Sequence, residues 1–68
     1  MAATYEFRVR GHLGRTLLQA FPDFDAEVSG NCTLLRGTVT DQAALHGVLA
    51  QIASLRLELL EVRQLRQG

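Results

Sequence analysis

Apolar and polar residues alternate strictly from Thr4 to Arg10. Tyr5, Phe7 and Val9 fall on one side, and Glu6, Arg8 and Arg10 on the other. A period of two over this length predicts a half-buried antiparallel strand. Gly11-His12-Leu13-Gly14 breaks it. Arg15 to Phe21 then fits about two helical turns, with Leu17, Leu18 and Phe21 facing the core. Pro22 ends that helix, because it has no N–H and disfavours helical geometry at Phe21.

Alternation returns from Phe24 to Ser29, with Phe24, Ala26 and Val28 inward and Asp25, Glu27 and Ser29 outward. Gly30-Asn31 is a hairpin signal, since both residues tolerate positive φ. Cys32 to Thr40 is the return strand, with Leu35 and Val39 inward. Gly37 also falls on the inward side, where it marks a bulge or the close approach of a helix backbone. Thr40-Asp41 opens a second helix: Thr40 can cap free N–H groups, and Asp41 adds negative charge at the positive end of the dipole. Leu45, Val48, Leu49, Ile52 and Leu55 form one apolar stripe at helical spacing. The helix is expected to end near Arg56. Leu57 to Leu65 reads as the last strand, with Leu60 and Val62 inward, and Arg66-Gln67-Gly68 as a frayed tail.

The order strand, short helix, hairpin, long helix, strand predicts one α+β domain over residues 1–68. The expected architecture is a ferredoxin-like βαββαβ sandwich. Right-handed crossovers put both helices on one face of a four-stranded antiparallel sheet with strand order 4-1-3-2. On that order, opposite charges on the open face fall on neighbouring strands. Leu34 and Leu59 stand among them.

Apolar types make up 47% of the chain, enough for one core and no more. A chain of this size buries only about 60% of its unfolded surface and needs a staple. Cys32 is the single cysteine, so no disulfide forms within the chain. The histidines and carboxylates show no metal-ligand spacing, and no metal or cofactor is expected. Self-association, as a homodimer or higher, is therefore the expected staple. Seven basic and seven acidic residues cancel. That argues against a nucleic-acid partner, which needs a basic excess, and against a membrane partner. Met1-Ala2-Ala3-Thr4 begins no export signal, and no apolar run reaches the roughly 20 residues of a membrane span. A cytoplasmic protein is expected.

Asp41-Gln42-Ala43-Ala44-Leu45-His46-Gly47, with the start Tyr5-Glu6-Phe7-Arg8-Val9-Arg10-Gly11, resembles a group of short bacterial proteins common in high-GC, actinobacteria-like genomes. The resemblance covers most of the chain and implies no activity. Members often have a Gly near the end of the second helix, where this chain has Ser54-Leu55-Arg56.

Several residues are candidates for function. Ala43, Gly47, Ala50 and Ser54 form a small-residue stripe opposite the Leu/Ile face of the second helix, with His46 beside it. A helix–helix contact with a second subunit or another protein would use such a surface; a bare, weakly polar surface is the plainer account. Leu34 and Leu59 offer a second interface candidate, through the open face or edge pairing. Stray leucines on a solvated sheet are also common. Gly11, Gly14 and Arg15 precede the first helix and could hold an anion. The loop resembles the anion-binding loop of acylphosphatases, which share this fold. That resemblance implies Arg15 as the acyl-phosphate ligand and Asn31 as the residue orienting water. The match is poor, and a structural turn with a surface arginine is preferred. His12, His46 and Cys32 read as surface or inert groups. Base stacking by the sheet is discounted, because Tyr5, Phe7 and Phe24 point inward. The reading is a non-enzymatic, self-associating module for protein interaction or small-ligand regulation, with a small acylphosphatase-like hydrolase as the alternative.

Overall fold

The alternation in the first strand organises the sheet. In the computed structural model, which describes residues 2–67, the elements are β1 (Ala3–Arg10), α1 (Arg15–Leu18), β2 (Asp25–Ser29), β3 (Cys32–Val39), α2 (Gln42–Ser54) and β4 (Leu59–Gln67). The fold is α+β. All strand pairs are antiparallel. The order is β2-β3-β1-β4, or β4-β1-β3-β2 from the other edge.

Phe7 and Val9 of β1, Leu35 of β3, Phe21 and Ile52 form the buried cluster. Leu18 of α1 and Leu45, Val48 and Leu49 of α2 pack against it, so both helices lie on one sheet face. Burying each large side chain contributes about 1.5–3 kcal/mol. Phe24 joins through the rings of Phe7 and Phe21, at centroid distances of 5.8 and 6.3 Å. Its ring also explains Gly37. A Cβ there would stand 2.8 Å from Phe24 Cδ2. The close approach is therefore by an aromatic ring, not by a bulge or a helix backbone.

Other expectations are corrected. α1 is a four-residue turn ending at Leu18, not a helix reaching Phe21. Gly14 gives it no side-chain cap, and so short a segment does not propagate ahead of Pro22. Phe21 is buried all the same, carried in by tight turns from Leu17 and Leu18. So short a helix leaves β2 uncovered. All five β2 residues are exposed, including Ala26 and Val28, which were expected inward. In the Gly30-Asn31 hairpin Gly30 alone takes positive φ, at 59°.

α2 is capped by Asp41, not Thr40: Asp41 Oδ1 accepts the Ala44 N–H at 2.8 Å. At its other end Arg56 adopts the left-handed conformation (φ 60°). The Leu57 N–H reaches back to Ile52 O and the Arg56 N–H to Ala53 O. This is a Schellman closure with arginine where glycine is favoured.

β4 starts at Leu59 and continues through Arg66 and Gln67, expected as a frayed tail; Gly68 lies outside the described residues. Its register against β1 shifts twice, between Arg8 and Val9 and between Thr4 and Tyr5. The first shift makes Leu60 an extra, exposed residue rather than an inward one. It also sets Leu59 opposite Val9. Directly opposed residues share a face, so Leu59 belongs to the helix side, not the open face.

Candidate functional site

β4 forms one free edge of the sheet. Leu59, Leu60, Val62 and Leu65 on it are 37–43% exposed. Val62 lies opposite the buried Phe7 and so faces the helix side, yet α2 leaves it uncovered. An edge strand carries unpaired N–H and C=O groups, and proteins usually guard it with charge or cover. Here the guard is partial. Two bulges limit the regular stretch to Glu61–Gln64, and Glu61 and Arg63 are its charges.

The opposite edge is guarded differently. β2 carries Asp25 and Glu27 and no cation. Its apolar residues are the small Ala26 and the 59% exposed Val28.

The open face is a lattice of paired charges. One row across the sheet runs Asp25, Arg36, Glu6, Arg63; the next runs Glu27, Leu34, Arg8, Glu61. Arg36 Nε donates to Glu6 Oε2 at 2.7 Å, and its Nη1 lies 2.9 Å from Glu27 Oε1. These bonds, Glu6 first, raise the Arg36 pKa above its ordinary value. Arg10 is likewise raised, by its 2.8 Å bond to Glu58. The two pairs that tie β4 to β1 are looser. Arg8–Glu61 and Arg63–Glu6 both measure 3.7 Å, and Arg8 Nε is buried without a hydrogen-bond partner. Leu34 sits within this lattice and is only 7% exposed. Long arginine and glutamate stems around it account for that, so Leu34 is not an accessible interface residue.

The loop after β1 is committed to structure. Gly11 N–H donates to Asn31 O at 2.6 Å. The buried Thr33 hydroxyl donates to Gly11 O at 2.7 Å and accepts the Leu13 N–H at 3.2 Å. His12 Nε2 donates to Gly30 O at 2.6 Å. Gly11, His12 and Asn31 thus meet, with Arg10, in one shallow depression. Arg15 does not line it, and the N–H groups of Gly11 and Leu13 are already used. Gly14 serves as the α1 N-cap.

Of the α2 candidates, Ala43, His46, Gly47, Ala50 and Ser54 are all exposed. No charged residue occurs from Gln42 to Ser54. Gly47 also lines a cleft of about 340 Å³ with Ala44, Gln51 and the Phe21–Phe24 turn. Cys32 is partly buried opposite Arg10. Among the described residues no group of three or more His, Cys, Asp or Glu could hold a metal, and no helix is long and apolar enough to cross a membrane. Of the β4 residues, only Leu59 is singled out by the sequence as an interface candidate; Leu60, Val62 and Leu65 read there as ordinary strand residues, and the register and exposure bring them to the free edge.

Residues 4–63 match the family described as a domain of unknown function, DUF8691. The chain belongs to that family. No curated protein and no solved structure matches it.

Proposed function

We propose that this member of the DUF8691 family is a non-enzymatic, ferredoxin-like module that works by associating with itself through the free edge of β4. The observation that carries the reading is the row Leu59, Leu60, Val62 and Leu65, all more than a third exposed on a strand whose outer edge is unpaired. Large exposed apolar groups on such an edge favour pairing with another chain. Size supports the same reading. A chain this small has little surface to bury within itself, and it has neither a disulfide nor a metal-ligand cluster among its described residues. A zero formal net charge lowers the repulsion that association must overcome.

Native mass spectrometry and sedimentation of the purified chain across concentration test this. A discrete dimer is expected, and Val62→Lys converts it to a folded monomer. A monomer at every concentration overturns the reading.

A further inference from the structure

Resting on the self-association just proposed, we infer that two copies pair antiparallel through β4 with Val62 on the two-fold axis. Glu61 of each copy then faces Arg63 of the partner subunit. The occupant of the edge is a second copy because the edge is complementary to itself. Read away from Val62 in either direction, the sequence gives Glu61 against Arg63, Leu60 against Gln64, and Leu59 against Leu65.

Geometry restricts the choice of register. A two-fold axis perpendicular to the sheet keeps each face continuous. Paired residues within the regular stretch must then point to the same face, and a residue sits on the axis. Centring one residue earlier sets Glu61 against the partner's Glu61. Centring one residue later sets Arg63 against the partner's Arg63. Both are like-charge oppositions, which destabilise a strand pair. Of these three registers, only the one centred on Val62 brings opposite charges together, twice by symmetry.

The present partners of these charges leave room for the new pairs. Glu61 and Arg63 lie 3.7 Å from Arg8 and Glu6, whereas the ion pairs of Arg36 and Arg10 measure 2.7–2.9 Å. Among the ion pairs of the described residues, the two that hold Glu61 and Arg63 are thus the longest. Val62 between them is apolar, 40% exposed and on the helix side. Two such residues meeting on the axis would cover each other.

Self-crosslinking reads the axis directly. Cα atoms of opposed antiparallel residues lie about 4.5–5.5 Å apart, within disulfide range. In a Cys32→Ser background, Val62→Cys is expected to form a disulfide-linked dimer in glutathione redox buffer. Leu65→Cys is not, since three residues of offset on each copy separate the two thiols by roughly 20 Å. Charge reversal gives an independent readout by sedimentation. Glu61→Arg alone and Arg63→Glu alone each weaken the dimer about tenfold or more. Mixing the two variants restores association as a heterodimer, because every facing pair is again opposite in sign. A wild-type dimer whose Val62→Cys form stays uncrosslinked, and which is indifferent to both reversals, overturns this register and leaves self-association standing. A wild type that remains monomeric removes the reading beneath it.

Discussion

Thr33, Gly37 and Glu6 each do one specific thing, and each depends on a neighbour from another part of the chain. Thr33 fastens the loop after β1 to the start of β3. Glu6, 6% exposed, is the acid that both Arg36 and Arg63 approach. Gly37 gives the Phe24 ring its seat. Gly37→Ala tests that seat, because the added methyl would overlap a ring that is itself packed on Phe7 and Phe21. Overpacking of this kind costs about 1–3 kcal/mol, and urea unfolding should show the free energy fall by that amount, read as a lower midpoint at an unchanged slope. An unchanged midpoint would mean that Phe24 swings aside freely. Parity along β1 and β3 was enough to put Phe7, Val9 and Leu35 in the core and Leu34 on the open face. It could not give Leu34 its low exposure, because that comes from arginine stems on other strands. Nor could it name Phe24 as the group above Gly37, since their contact crosses a hairpin.

At the scale of elements, period and breakers predicted every strand and both helices, while the ends and phases depended on contacts no local pattern records. The Leu/Ile stripe of α2 packs on the core as its spacing requires. α1 lost a turn for want of a cap. The parity of β4 changes at Leu60 without any glycine to mark the bulge, which is why alternation alone puts Leu59 on the open face. The end of α2 was legible as a problem, because Ser54-Leu55-Arg56 lacks the glycine that such a stop favours. Arg56 indeed takes φ 60°. An L-residue pays about 1–2 kcal/mol for that conformation, and glycine gives back about 0.5–1 kcal/mol through its more flexible unfolded chain. Arg56→Gly should therefore stabilise the fold by roughly 0.5–1 kcal/mol, measured as a higher urea midpoint with an unchanged slope. A lower midpoint would show that the Arg56 side chain makes contacts worth more than the strain.

For the whole molecule, the two sheet edges decide what kind of assembly is open to the chain. The β2 edge carries two acids and no cation, so two β2 edges repel when brought together. The regular stretch of the β4 edge, Glu61–Gln64, carries one charge of each sign about Val62, so two such stretches paired about Val62 attract. The proposed pairing of β4 with its own copy would occupy that edge and leave the acidic β2 edges outside. On the proposed pairing, growth would stop at two subunits, the outcome expected of a two-fold interface; head-to-tail pairing would run on into a filament. Burial would then cross the subunit boundary, and the stability of the fold would be linked to concentration. For a dimer of this chain, unfolding to two separate chains should raise the melting temperature by roughly 5 °C per tenfold increase in concentration. Val62→Lys, which puts two ammonium groups on the axis, should abolish that dependence and lower the wild-type melting temperature at high concentration toward its value at low concentration. Calorimetry over two decades of concentration decides the matter. Equal melting temperatures for wild type and variant throughout would mean that the small core suffices alone and that the exposed leucines of β4 have another partner.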